Sequence, residues 1–165
     1  MHPVNLSDDE LQKQCNVQRT RASGPGGQHR NKVETAIVVK HNPTQIVGQA
    51  SEKRSQHANL VAALFRLRVR LAIEVRTEPL PESPGNVWLD RVRGRKISVN
   101  TSHSDFPVVL VDALDQVERC NHEMPKAAEA LTISTSQLVK FLKSDSQVWD
   151  SFQQSRVRLG LKRLK

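Results

Sequence analysis

Leu60, Leu64, Leu67, Leu71 and Val75 recur at intervals of four, three, four and four, and this stretch restricts the fold more than any other. The spacing keeps these apolar side chains on one stripe of an α-helix, which must be buried against another element. Ser51 reads as the N-cap, so the predicted helix runs from there to about Arg76. The preceding residues supply what it covers. Thr35 to Lys40 is β-branched and apolar, Asn42-Pro43-Thr44 is turn chemistry and Gln45 to Ala50 resumes an extended pattern, a hairpin signature. A further strand is predicted over Asn16 to Ala22. Ser7 with Glu10 has capping-box spacing, which opens a short helix from Asp8 to about Gln14. A small β-sheet with one long helix across it is an α+β fold.

Pro79, Pro81, Pro84 and Gly85 fall together just after that helix, a linker composition that places a boundary there. The predicted organisation is a domain over 1–77, a Pro-rich linker and basic stripe over 78–105, and a small all-α unit with a basic tail over 106–165. The stripe is Arg91, Arg93, Arg95 and Lys96, with one strand over Ile97 to Asn100. Pro107 opens a helix to about Asn121. Ala127 to Leu131 reads as a short helix and Thr132-Ile133 as a turn. Ser134 with Gln137 forms a second capping box before Leu138, Phe141 and Leu142, which is helix-turn-helix spacing. Trp149 and Phe152 mark a last helix running into the tail.

The formal charge of +8 is segregated. Residues 1–77 carry twelve Lys or Arg against six Asp or Glu, and 156–165 carry five cations and no acid, whereas 106–155 is net acidic. Two basic blocks favour a polyanionic partner such as RNA. No apolar run approaches the ~18 residues of a membrane span, and Asp8, Asp9 and Glu10 stand where a targeting peptide would be basic. Cys15 and Cys120 lie in no paired spacing, so neither zinc nor a disulfide framework is suggested. The chain is expected to be soluble, cytoplasmic and monomeric, with no metal or cofactor and no membrane partner.

Overlapping the end of the first predicted strand and leading towards the second is Arg21 to Lys32, RASGPGGQHRNK. Its Ser23-Gly24-Pro25-Gly26-Gly27-Gln28 segment fits neither helix nor strand. It contains no carboxylate pair, no Ser-His-Asp set and no metal-ligand spacing. What it offers is accessible backbone N–H groups beside one amide side chain and several cations, which suits binding an oxyanion or positioning water near a phosphate-rich ligand.

Ser23-Gly24-x-Gly26-Gly27-Gln28-His29-x-Asn31-Lys32 resembles the catalytic loop of class I peptide chain release factors and of the codon-independent ribosome-rescue hydrolases related to them. Pro43-Thr44 followed by Ile46-Val47, and Glu52-x-Arg54-Ser55-Gln56-x-x-Asn59, match the same family, so the likeness covers about residues 15–75 in the family's order. Gln45 stands where the family usually has Gly. Pro25 and Arg30 replace residues that are often small or apolar.

The resemblance implies the release-factor fold and hydrolysis of the peptidyl-tRNA ester in the large ribosomal subunit, with Gly26, Gly27 and Gln28 as catalytic residues. His29 is read as a hydrogen-bonding residue and not a base, and so are His103 with Asp105 and His122 with Cys120 and Glu123. Arg21, Arg30, Lys32, Arg54, Arg66 and Arg70 are expected to meet RNA phosphates, as are Arg156, Arg158, Lys162, Arg163 and Lys165 of the tail. Nothing in residues 78–165 looks like the family's stop-codon loops, and the basic tail is similar in charge to that of the rescue relatives. Codon-independent release is therefore the expectation; the alternatives are a specialised release factor using a cofactor or a particular ribosomal state, and a non-catalytic RNA- or DNA-binding module. DNA is disfavoured because the helix from Thr135 to Lys143 offers only Gln137, Lys140 and Lys143 as polar readers.

Overall fold

The computed structural model describes residues 1–21 and 35–165, which divide into two units, Met1–Val75 and Arg76–Lys165. The segment Ser23 to Gln28 and the predicted end of the first strand at Ala22 lie outside the described residues.

The first unit opens with α1 (Asp8–Lys13), whose Ser7 and Glu10 make the predicted reciprocal capping box. Three strands come next, β1 (Cys15–Thr20), β2 (Ala36–His41) and β3 (Val47–Ala50), in an antiparallel sheet ordered β1-β2-β3. Ile37 pairs with Ala50 and Val39 with Gly48, so these four side-chain positions share one face. The long helix α2 (Gln56–Glu74) covers that face with Ala63, Leu64, Leu67, Leu71 and Ala72, all buried. Gly48 is required by the closeness of this packing: a Cβ there would lie 2.2 Å from the Ala63 carbonyl oxygen and 2.6 Å from the Leu67 nitrogen. Leu60 is only half-buried, and Val75 has left the helix as its C-cap.

The helix begins later than predicted because Ser55, not Ser51, is the N-cap, accepting from the Ala58 N–H. The intervening residues are diverted by Asn59, fully buried on the first turn. Its Oδ1 accepts from the Lys53 N–H at 3.0 Å, and its Nδ2 donates to the carbonyls of Lys53 (3.0 Å) and Thr35 (2.6 Å). With both Lys53 peptide groups so occupied, no helical turn forms there. In the hairpin turn, Gln45 takes the left-handed conformation (φ 63°) that glycine adopts without penalty, and its side-chain amide donates to the Asn42 carbonyl at 2.6 Å.

The second unit contains α3 (Asn86–Arg91), the two-stranded hairpin β4 (Val92–Arg93) and β5 (Lys96–Ile97), then α4 (Phe106–Arg119), α5 (Met124–Ala130), α6 (Thr135–Leu142) and α7 (Ser146–Arg158). Residues 78–105, whose sequence has the character of linker and stripe, thus hold a helix and a hairpin, and the strand expected over Ile97 to Asn100 ends at Ile97. Trp88 explains the difference. Its ring is fully buried, meets Phe141 edge-on at 5.9 Å, and donates from Nε1 to the Leu131 carbonyl at 2.9 Å, which ties α3 to the helical core.

Thr132 (φ 57°) turns the chain between α5 and α6. Ser134 caps α6 by accepting from the Gln137 N–H at 3.2 Å. Its own N–H goes to the Arg95 carbonyl at 3.1 Å, so the second capping box is only half made. The tail does not prolong α7. Gly160 (φ 74°) reverses the chain, the Leu161 N–H returns to the Arg156 carbonyl at 2.9 Å, and Gln153 pairs through its side-chain amide with both backbone groups of Leu164. Among the described residues no helix is long and apolar enough to cross a membrane.

Candidate functional site

Thr20 and Ala36 are Cα partners in the β1–β2 ladder, so the chain leaves the sheet at one strand end and re-enters beside it. Residues 21–35, which carry the Gly-Gly-Gln sequence, are therefore attached to adjacent points of one sheet. Gly26, Gly27, Gln28, His29, Arg30 and Lys32 lie outside the described residues. Their anchorage does not. Ala36 and Ile37 are buried under α2, and the Thr35 carbonyl is held by the buried Asn59 amide. In the sequence Asn59 is one member of a motif, with no role that the motif itself assigns. The signal that could have exposed it is an amide at the first turn of a helix beside residues that cannot all be helical.

Beside these strand ends lies a polar depression of about 250 Å³, lined by Thr20, Arg21, Val38, Gln49, Ser51 and Arg66 among others. Arg21 is exposed at the end of β1, and Arg54 is exposed before α2. Arg66 and Arg70 of α2, for which the sequence suggests phosphate contacts, each bond within the first unit. Arg66 donates to the Gln49 carbonyl at 2.8 Å and to both oxygens of Glu52, whose carboxyl is pushed down to about 2 chiefly by that guanidinium. Arg70 donates to the Val47 carbonyl at 2.9 Å and to Glu74. Both arginines satisfy outward carbonyls of the edge strand β3, fastening helix to sheet where an unpaired edge would otherwise be left. Arg68, which no sequence pattern singles out, does the same for the N-terminal segment, reaching the Val4 and Leu6 carbonyls and Asp8.

In the second unit Arg156 is buried, donating to the carbonyls of Lys162 (2.9 Å) and His122 (3.0 Å) with Phe152 at 5.8 Å. These N–H donors are turned inward onto the unit's own backbone, where the sequence suggests a phosphate contact. Arg158, Lys162, Arg163 and Lys165 are exposed. His103 and Asp105 hold Arg91, and His122 lies between Glu118 and Ser155 with burial lowering its affinity for a proton. Among the described residues no group of His, Cys, Asp or Glu could hold a metal ion.

Comparison with known proteins places these features. A model described as the RF-1 domain matches residues 5–102. The chain is 32% identical over 130 residues to peptide chain release factor 2 of Burkholderia cenocepacia, covering 75% of this chain and 34% of that protein. It is 37% identical over 128 residues to chloroplastic peptide chain release factor PrfB1 of Arabidopsis thaliana, covering 68% and 27% respectively. Over 74 residues it is 47% identical to peptide chain release factor 2 of Neorickettsia sennetsu, 44% of this chain and 20% of that one. The chain thus spans about a third or less of the length of these curated relatives. With its sheet, its covering helix and the matched region running from before α1 through the β4–β5 hairpin, the chain belongs to the class I peptide chain release factor family.

Proposed function

We propose that this chain is a ribosome-dependent peptidyl-tRNA hydrolase that releases nascent chains without reading a codon. The observation that carries the hydrolytic part is the run Ser23-Gly24-x-Gly26-Gly27-Gln28 between the paired residues Thr20 and Ala36, in a chain whose residues 5–102 match the RF-1 domain. In this reading the segment enters the peptidyl-transferase centre, where a water attacks the ester carbon joining peptide to tRNA and the ribose oxygen departs with a proton. Gly26 and Gly27 free the backbone to aim the Gln28 N–H at the developing charge, and the Gln28 amide lines the water's place. Positioning and preorganised donors lower the barrier, so no side chain of this protein titrates. Arg21, Arg30, Lys32 and Arg54 meet rRNA phosphates around the site, as do Arg158, Lys162, Arg163 and Lys165 of the tail. The place of action is the cytoplasm.

Codon independence is supported by the character of the second unit. In the sequence of residues 78–165 nothing looks like the family's stop-codon loops, and the basic tail is similar in charge to that of the rescue relatives. The test is peptide release from purified ribosomes carrying peptidyl-tRNA, with truncated mRNA, a sense codon or a stop codon in the A site. Comparable release on all three is expected, and Gly27→Ala should abolish it, because a Cβ obstructs a backbone conformation without touching the core. Release confined to the stop codon would move the protein to the specialised release factors. Undiminished release by Gly27→Ala would remove the mechanism.

A further inference from the structure

The β4–β5 hairpin carries three cations in four residues, Arg93-Gly94-Arg95-Lys96, all exposed. Its turn has both central residues in the left-handed region, Gly94 at φ 54° and Arg95 at φ 63°, the two-residue geometry that suits a twisted antiparallel pair. Asparagine and glycine occupy such turns at little cost; an arginine at the second position is a strained choice. Arg93 and Lys96 are direct cross-strand partners, and like charges placed opposite one another destabilise a ladder. The hairpin does not relieve them itself. Among the described residues the guanidinium of Arg93 donates only to its neighbour's carbonyl, Val92, and Lys96 has no acidic partner.

The tip is nonetheless firmly set. The Arg95 carbonyl accepts from Ser134 and its guanidinium reaches toward the Ile133 carbonyl at 3.5 Å, so the turn is pinned to the junction of α5 and α6. Behind it Trp88, on the helix leading into β4, is buried and bonded to Leu131 in the same junction. A strained, self-repelling set of cations held in place by a packed core is poor as a stability device. It is well suited to a polyanion, which relieves the repulsion and finds its counter-charges already ordered.

We infer that the Arg93-Gly94-Arg95-Lys96 hairpin tip is an RNA-backbone binding site of the second unit, separate from the Gly-Gly-Gln segment. Contact is to phosphates and not to base edges: on the adjoining helix α6 the exposed side chains are Ser136 and Lys140, with Lys143 just beyond, too few polar readers for sequence discrimination. The choice of RNA over DNA rests on the proposed ribosomal function. Phosphate contacts made by Arg93 and Lys96 release counterions, so their removal should change the salt dependence of binding as well as the affinity.

The test uses the full chain and a fluorescent RNA duplex of about 20 base pairs, with a DNA duplex of the same sequence, titrated between about 50 and 200 mM salt. The double substitution Arg93→Gln with Lys96→Gln should weaken RNA binding about 10- to 30-fold at ~150 mM salt. It should also lower the slope of log affinity against log salt by nearly two. The charge-preserving pair Arg93→Lys with Lys96→Arg should bind like the parent. Tryptophan fluorescence during urea unfolding, which reports the second unit through Trp88 and Trp149, should be unchanged in both, and this separates lost contacts from lost fold. Unchanged affinity and slope in the Gln pair would overturn the inference, as would a Gln pair that unfolds early while the folded fraction still binds normally. Tighter binding to the DNA duplex than to RNA, with the slope change confined to DNA, would overturn the assignment to RNA. Gly27→Ala should bind the RNA duplex normally, so failure of the hydrolytic reading leaves a result here distinct from failure of this one.

Discussion

Gly48→Ala should destabilise the first unit while sparing the second. The added Cβ would stand 2.2 Å from the Ala63 carbonyl oxygen, 2.6 Å from the Leu67 nitrogen and 2.8 Å from the Leu67 Cβ. All three atoms belong to α2, and two are backbone, so no side chain can swing aside. Bringing the shortest contact to an ordinary separation requires α2 and β3 to part by about 1 Å, which loosens the interior-like packing of Ala63, Leu67 and Leu71. The resulting cost is about 2–4 kcal/mol, against a total of roughly 4–10 kcal/mol for a unit of this size. The units can be followed separately because the chain has no tyrosine and both tryptophans, Trp88 and Trp149, lie in the second unit. Urea titration followed by far-UV circular dichroism should show part of the signal lost about 2 M earlier than in the parent, with the fluorescence midpoint unmoved. Val61→Ala on the exposed side of α2 should shift neither curve by more than about 0.5 kcal/mol. A dichroism curve for Gly48→Ala that superimposes on the parent's would refute the close approach of helix and strand.

Asn59→Leu should cost the first unit about 2–4 kcal/mol in the same dichroism titration, because it strands the Lys53 and Thr35 peptide groups. Asn59→Asp should not restore stability, since a carboxylate cannot donate to two carbonyls; full stability in either variant would count against the anchorage. In the second unit burial pushes the carboxyls of Asp112 and Asp115 up to about 6, above the usual carboxylate range, so the fold penalises their charged forms. Their contribution is least harmful below about pH 4 and grows worse as pH rises through 6; buried His122, whose proton affinity is lowered, acts oppositely on acidification. Asp112→Asn keeps an acceptor for the Gly85 N–H, so its fluorescence midpoint relative to the parent should rise between pH 5 and pH 7.5, and a constant difference would contradict the burial argument. Arg156→Ala should lower that midpoint by about 2–4 kcal/mol through two unpaired carbonyls, and expose the tail to trypsin after Lys162 and Arg163; weakened RNA binding with an unchanged midpoint would mean that Arg156 faces solvent after all.

By itself the sequence determined what depends on neighbours along the chain. The Ser7–Glu10 box, the strand-turn-strand over residues 36–50, the leucine stripe of α2 and the helix pair around Ser134 are local patterns, and local energetics suffice to write them. The Gly-Gly-Gln run was legible for the same reason, as a contiguous motif with its flanks. Charge was legible only as density. Whether an arginine meets solvent or a carbonyl depends on backbone brought from elsewhere: Gln49 for Arg66, Val47 for Arg70, and His122 with Lys162 for Arg156. Similarly, Ser51 and Ser55 are equally good caps in isolation, and Asn59, which holds both Lys53 peptide groups and the Thr35 carbonyl, decides between them. Trp88 lay in a stretch whose prolines read as linker, and only the pocket made by Phe141 and Leu131 gives its ring somewhere to go. A side chain's pattern is set by its sequence neighbours, but its partner is whatever unsatisfied group or apolar space the folded chain delivers to it.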